Sequence, residues 1–142
     1  MTAKDYLSQA RYLDMRINSK IQQIESLNEL ATRCTSTITG LPRNPNHGTS
    51  LMADAVGKII DLQAEINRDI DKLVDLKREI VTVIKAVDSV EYQTLLEKRY
   101  LCFMQWEQIA VDMSYSMQYT FRMHEQALKN IAEILKVESK VD

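Results

Sequence analysis

Two long stretches of this chain carry apolar residues at alternating steps of four and three, and this spacing constrains the fold most. Such steps keep side chains on one face of an α-helix, and over several heptads they predict a coiled-coil seam. The first series lies within residues 3–39 and comprises Tyr6, Ala10, Leu13, Ile17, Ile24, Leu27, Ala31, Cys34 and Ile38. The second lies within residues 51–87 and comprises Met52, Ala55, Ile59, Leu62, Ile66, Leu73, Leu76, Ile80, Val83 and Val87. With three glycines and two prolines in 142 residues, we expect an all-α chain.

Residues 40–50 separate the two series and predict the one clear loop. Gly40 suits the position after a helix end, two prolines forbid continued helix, and Gly48 permits a turn. Thr49 or Ser50 can cap the helix that follows. We therefore expect an antiparallel helical hairpin over residues 1–87, followed by a second module over residues 88–142.

Each seam contains one charged residue, Lys20 in the first and Asp69 in the second. Folding about the 40–50 loop brings these two positions within about one helical turn of each other. We predict that they pair across the hairpin, which selects its register more than it adds stability.

The second long helix also has another apolar row on a different face. Its members are Val56, Ile60, Ile70, Val74, Val81 and Ile84. One partner helix covers only one seam, so a further element must cover this row. The C-terminal helices of the same chain or a second copy of the hairpin could do so, and we favour a homodimer through the hairpin.

Three shorter helices are predicted in the C-terminal module. Asp88 and Glu91 have the spacing of a capping box, which starts a helix from about Ser89 to Leu101. The next runs from Trp106 to Met113, and the last from about Ser116 to Lys136.

The last two helices have the layout of a helix-turn-helix. Ala110 supplies the small residue at which the second helix crosses closely, and Ser114-Tyr115 provides a short turn. Ser116 can cap the second helix. An ordinary helical hairpin would show the same spacing.

The C-terminal fifty residues also resemble a known family. The residues that carry the resemblance are Leu95-Leu96-x-x-Arg99-Tyr100-Leu101, Trp106-Glu107-Gln108-Ile109-Ala110, Met113-Ser114-Tyr115-Ser116 and His124-x-x-Ala127-Leu128. This stretch resembles region 4 of bacterial sigma factors, and it is most similar to the ArpU-like and RinA-like late transcriptional regulators of phages and prophages. Family members often carry Gly where Phe103 and Ser114 stand and Ser where Gln105 stands.

The resemblance implies binding of double-stranded DNA through the last helix, with RNA polymerase as a further partner on a late operon. The implied groove-facing residues are Ser116, Met117, Gln118, Tyr119 and Arg122. Gln118 would read adenine, Arg122 would read guanine or hold a phosphate, and Lys129 would assist at a phosphate. If this stretch binds DNA, we expect a basic surface around Gln118 and Arg122.

The charge balance opposes strong unaided DNA binding. The chain has a net charge of −2, and from Asp88 onward six Lys/Arg face nine Asp/Glu. Phosphate contacts supply most non-specific affinity, so we expect help from a second subunit or from polymerase.

Composition argues against several other functions. Cys34 and Cys102 are expected to be small buried hydrophobes, and no motif for a metal, cofactor or nucleophile is present. The carboxylate-rich face formed by Asp61, Glu65, Asp69 and Asp71 lacks the Glu-x-x-His pairs of a di-metal bundle. We expect a cytoplasmic protein that is not an enzyme and has no membrane span and no small-molecule substrate.

Two non-enzymatic alternatives stay open from the sequence. One is an adaptor whose second apolar row docks another protein. The other is a small terminase subunit that reads phage DNA for packaging, which predicts a ring oligomer.

Overall fold

The computed structural model describes the backbone of residues 1–38 and 47–141 and the side chains of residues 1–33 and 50–138. This part of the chain is all-α, as the spacing predicts, and contains no strand. The helices are α1 (Ala3–Ile38), α2 (His47–Lys85), α3 (Val90–Tyr100), α4 (Trp106–Met113) and α5 (Met117–Val141).

The predicted loop over residues 40–50 lies mostly outside the described residues, but its last part is wrong. Residues 47–50 form the first turn of α2. The last proline is Pro45, and Gly48 costs a helix only about 1 kcal/mol, so neither prevents an earlier start. Helix α5 likewise continues to Val141, past its predicted end at Lys136.

Packing divides the chain into two compact units. Unit 1 comprises Met1–Leu13 and Leu73–Asp142, and unit 2 comprises Asp14–Lys72. The first turns of α1 and the last turns of α2 thus belong to the same unit as α3, α4 and α5. The boundary expected from the sequence was after residue 87.

Unit 2 pairs α1 with α2 along the predicted seams. Lys20 Nζ donates a hydrogen bond to Asp69 Oδ2 at 2.6 Å and lies 3.5 Å from a carboxylate oxygen of Glu65. Both members of the predicted pair are buried, and the hydrogen bond from Lys20 lowers the pKa of Asp69. Further along α1, Leu27 lies beside Leu62 in a shallow hollow. Residue numbers therefore increase along α1 while those of the facing residues of α2 decrease, from Asp69 to Leu62, so the two helices are antiparallel.

The second apolar row of α2 is covered only at its end. In unit 1, Ile84 is fully buried and Val81 is half-buried. The other four side chains are exposed by 44%, 58%, 42% and 48%, in the order Val56, Ile60, Ile70 and Val74. Within unit 1 the row is therefore covered at Val81 and Ile84 and exposed at Val74, and within unit 2 its three members are exposed.

Unit 1 has a continuous apolar core built from all five helices. Its fully buried side chains include Leu7 of α1, Ile80 and Ile84 of α2, Leu95 and Leu96 of α3, Ile109 of α4, and Ile131 of α5. Trp106 is half-buried and packs against this cluster.

The start of α3 corrects one predicted cap. Ser89, not Asp88, is the N-cap residue, and its Oγ accepts a hydrogen bond from the Tyr92 N–H at 3.3 Å. Ser89 has the extended backbone that an N-cap needs, with φ −85° and ψ 122°. The Glu91 carboxylate instead accepts a hydrogen bond from the Tyr115 hydroxyl.

Cys102 corrects a second expectation, because it is exposed. Helix α3 ends at Tyr100, so the helical pattern that would have turned Cys102 inward stops before it. The side chain of Cys34 lies outside the described residues.

Candidate functional site

The connection between α3 and α4 is held by three cationic side chains of unit 1. Arg99 donates to the Met104 carbonyl at 2.9 Å, Lys77 donates to that of Leu101 at 3.2 Å, and Arg11 donates to that of Phe103 at 3.3 Å. Phe103 has a left-handed backbone, with φ 58°. These cations are engaged by backbone carbonyls, and this fixes where α4 begins.

Two of the same cations also lie over aromatic rings. The Arg99 guanidinium is 4.7 Å from the centre of the Trp106 ring, and Lys77 Nζ is 4.7 Å from the centre of the Phe103 ring. Such contacts are attractive because the ring face is electronegative. Trp106, the first residue of α4, is thereby fixed at the start of the helix.

A three-residue turn joins α4 to α5. Ser114 is left-handed, with φ 59° and ψ 42°, and the Tyr115 N–H donates to the Ala110 carbonyl at 2.8 Å. Ser116 then caps α5 as predicted, because its Oγ accepts from the Tyr119 N–H at 3.1 Å. Ala110 is 5% exposed on the buried side of α4. Helices α4 and α5 thus follow one another through a short turn, a connectivity that a helix-turn-helix and an ordinary helical hairpin share.

The inner face of α5 is anchored through a buried histidine. The Tyr100 hydroxyl and His124 Nε2 are 2.6 Å apart, and the Trp106 ring meets the His124 ring edge to face with centres 4.4 Å apart. Burial, together with the positive charges of Lys4 and Arg99, lowers the pKa of His124 to about 4. Burial also raises the pKa of Tyr100 to about 12. At neutral pH the imidazole is uncharged, and in the tautomer with its proton on Nδ1 its Nε2 accepts a hydrogen bond from the Tyr100 hydroxyl.

The outer face of α5 carries the residues that the resemblance implies for DNA binding. The exposed members are Ser116, Gln118, Tyr119, Arg122 and Lys129, and Met117 is half-buried. The spacing brings Gln118 and Arg122 together on the first two turns and puts Lys129 two turns further on. The Ser116 hydroxyl uses an acceptor site in the cap and keeps its proton to donate.

Tyr119 is held in place by a second aromatic contact. Its ring packs edge to face on the Tyr115 ring, with centres 4.7 Å apart. Tyr115 in turn donates to the Glu91 carboxylate, and that hydrogen bond raises the pKa of Tyr115 to about 12. The first turn of α5 is thus braced against α3 while Tyr119 stays 39% exposed.

The surface around Gln118 and Arg122 is mixed in charge, which corrects the expectation of a basic one. From Trp106 to Lys129 the acidic residues are Glu107, Asp112 and Glu125, and the basic residues are Arg122 and Lys129. Glu125 lies between the two cations on the exposed face. Asp112 is partly neutralised by Lys98, whose Nζ is 3.7 Å from its carboxylate.

The part of the chain that the structure describes was searched for metal sites and for membrane-spanning helices. No group of three or more His, Cys, Asp or Glu residues lies close enough to hold a metal ion. Among the same residues, no helix combines the length and apolar character needed to cross a bilayer.

Comparison with known proteins gives one match. Residues 48–132 match the model of DUF1492, which is described as a protein of unknown function. The matched region runs from the first turn of α2 into α5, covers more than half of the chain and includes Ser116, Met117, Gln118, Tyr119, Arg122 and Lys129. No curated protein and no solved structure matches the chain significantly.

Proposed function

We propose that this chain, which belongs to the DUF1492 family, is a DNA-binding transcriptional regulator of the phage type that reads base pairs with the first turns of α5. It would act in the bacterial cytoplasm on a late operon. The family description assigns no activity, so the proposal rests on the geometry of α4 and α5 and on the resemblance to sigma factor region 4.

The observation that carries the proposal is the division of α5 into two faces. Thr120, Met123 and His124 are buried, and they fix the rotation of the helix about its axis. The same rotation presents Gln118 and Arg122 outward on the first two turns. In helix-turn-helix proteins it is the N-terminal part of the second helix that reaches base edges in the major groove.

The chemistry of the two outward side chains suits base reading. A Gln amide forms two hydrogen bonds with the N6 and N7 positions of adenine, and an Arg guanidinium does so with O6 and N7 of guanine. Each such pair contributes about 1–3 kcal/mol of discrimination between bases. Ser116, with its free hydroxyl proton at the start of α5, suits a backbone phosphate.

The backbone supports the family resemblance at two positions. Phe103 and Ser114 are the non-glycine residues with positive φ in the described part of the chain. They are also the positions where members of the sigma-like family often carry Gly, which adopts this conformation without steric cost. This chain keeps the turn geometry while it departs from the residue type.

The charge of the outer face sets the expected affinity. Two cations near three carboxylates release few counterions, so binding by one unaided α5 should be weak. We propose that RNA polymerase, a second subunit, or both supply the remaining affinity, and that α5 supplies the base preference.

The test is binding of the full chain to duplex DNA from upstream of its own operon, measured by fluorescence anisotropy at low salt and then with rising salt. Arg122→Ala and Gln118→Ala should each weaken binding to the preferred duplex about tenfold, as expected for the loss of one bidentate base contact. The measurement is made with and without RNA polymerase.

Arg68→Ala is the matched control, because it removes one exposed positive charge from α2. It should leave the preference between duplexes unchanged. The proposal fails if no duplex binds at low salt under either condition, or if Arg122→Ala and Arg68→Ala have equal effects.

A non-enzymatic adaptor is the second candidate, and the open part of the apolar row on α2 favours it. Under this hypothesis Gln118→Ala and Arg122→Ala leave the binding of the partner protein unchanged. Charged substitutions in the apolar row of α2 abolish that binding. The same panel of variants therefore separates the two functions.

A further inference from the structure

One face of α2 carries a regular series of exposed side chains, which we name the α2 stripe. Its members are Val56, Ile60, Gln63, Asn67, Ile70 and Val74. The steps between them are four, three, four, three and four, so they form a second heptad seam on a single helix. All six are exposed, and the four aliphatic members are 42–58% exposed.

The order of residue types along the stripe is the same in both directions. Two aliphatic residues stand at each end, and two amides stand at the centre. If a second α2 is laid antiparallel on the first, Val56 meets Val74, Ile60 meets Ile70 and Gln63 meets Asn67. Every aliphatic side chain then meets an aliphatic one, and every amide meets an amide.

The amides fix this register. Gln and Asn each carry donors and an acceptor, so the facing pair can satisfy one another. A shift by one heptad in either direction would press an amide against an aliphatic side chain and leave it without a partner. In an antiparallel two-fold dimer the same contacts occur twice, once in each direction.

The symmetry also indicates the direction of pairing. Two identical helices that pair in parallel meet in register whatever their sequence, so a parallel dimer needs no such symmetry. In antiparallel pairing, like residues meet only when this symmetry is present, and antiparallel helix dipoles attract one another weakly. We propose that a second copy of this chain packs antiparallel on the α2 stripe, an inference that does not depend on the proposed DNA-binding function.

The size of the stripe limits the strength of the dimer. From Val56 to Val74 the helix rises by about 27 Å, and a helix is roughly 10 Å wide. The footprint is thus on the order of 270 Å² per copy, well below the roughly 800 Å² of a standard interface. An interface of this area lies at the small end of protein–protein contacts, so the dimer should be reversible and should form only at high protein concentration.

The first experiment measures the mass of the full chain by sedimentation equilibrium from about 1 to 200 μM. We expect a monomer at the low end and a dimer at the high end. Ile60→Glu and Ile70→Glu should each raise the dissociation constant at least a hundredfold, because each places a carboxylate against an aliphatic side chain. Both sites are exposed in the single chain, so circular dichroism should show unchanged helix content.

Leu30→Glu is the matched control, since Leu30 is 46% exposed on α1 and lies outside the stripe. It should dimerise as the unsubstituted chain does. A chain that stays monomeric at 200 μM overturns the proposal. A dimer that resists both stripe substitutions, or that Leu30→Glu weakens equally, also overturns it.

The second experiment tests the direction of pairing by cysteine cross-linking. Cys34→Ser and Cys102→Ser first remove the native thiols. In that background, an Ile60→Cys chain mixed with an Ile70→Cys chain should form a disulfide-linked heterodimer on mild oxidation. Each chain alone should stay uncross-linked, whereas cross-linking of either chain with itself would show parallel pairing and contradict the proposed arrangement.

Discussion

Acidification should destabilise unit 1 through His124, the buried ring that joins α5 to α3. The folded chain holds this imidazole neutral, with a pKa lowered to about 4 by burial, whereas the ordinary pKa of a histidine is 6.5. As pH falls through 6.5, the unfolded chain gains a proton at His124 and the folded chain does not. The stability that the neutral His124 contributes is therefore fully present well above pH 6.5. It is lost progressively as pH falls toward 4.

The magnitude follows from the two pKa values. Between pH 7.5 and pH 5, the difference in proton binding lowers the free energy of unfolding by about 2 kcal/mol. In a domain whose total stability is about 5–15 kcal/mol, this is a large fraction. The loss is expected to move the midpoint of urea unfolding clearly to lower concentrations.

The assay is urea unfolding followed by the fluorescence of Trp106, the single tryptophan, whose ring contacts the His124 ring. Protein is kept near 1 μM, and the free energy is measured from pH 7.5 to pH 5. His124→Gln keeps a hydrogen-bonding group beside Tyr100 and cannot titrate in this range. Other groups titrate in both proteins, so the difference between their pH profiles isolates His124.

The reasoning would be refuted by parallel pH profiles for the two proteins. It would also be refuted if acidification to pH 5 stabilised the unsubstituted chain relative to the His124→Gln variant, because that would require a folded-state pKa above 6.5.

Three further predictions concern stability, and each is tested by urea unfolding. Lys20→Met should cost about 3 kcal/mol because it leaves the Asp69 carboxylate buried without its partner, whereas Lys20→Met combined with Asp69→Leu should be near neutral; equal costs would contradict the pairing. Ser114→Gly should stabilise by about 1 kcal/mol, since φ is 59° there, and a loss of stability would show that the Ser side chain is needed. Gly57→Ala should also stabilise by about 1 kcal/mol, because an added Cβ meets nothing within 4 Å; destabilisation would indicate a close contact at this position.

The features predicted correctly from the sequence are those that depend on short-range periodicity. Steps of four and three were enough to define α1 and α2, because a helix repeats every 3.6 residues whatever it packs against. The Lys20–Asp69 pair was predictable because each stands alone as a charge in an apolar seam. The exposure of Gln118 and Arg122 agrees with the resemblance to sigma factor region 4, which implied that both side chains face outward.

The features that the sequence missed depend on backbone details or on distant contacts. Asp88 and Ser89 are both good caps, and only the local φ and ψ select Ser89. The hydrogen bond between Tyr100 and His124 joins residues 24 positions apart, so no local pattern contains it. A signal was available, since His124 follows Thr120 by four residues and precedes Ala127 by three, on the row that proved to be buried.

The end of α3 explains another error. The predicted helix extended to Leu101, and continuing its pattern made Cys102 appear buried. The chain instead leaves the helix after Tyr100 and turns through the left-handed Phe103, so Cys102 is exposed. Phe is an unusual residue at positive φ, and the sequence alone gives no reason to expect a turn there.

The most direct test of the central claim is selection of duplexes from a random DNA pool by the full chain, repeated with Arg122→Ala and with the control Arg68→Ala. The claim that α5 reads bases predicts an enriched motif, loss of the preference at one base pair with Arg122→Ala, and the full motif with Arg68→Ala. Enrichment of no motif, or a motif that Arg122→Ala leaves intact, would contradict the claim.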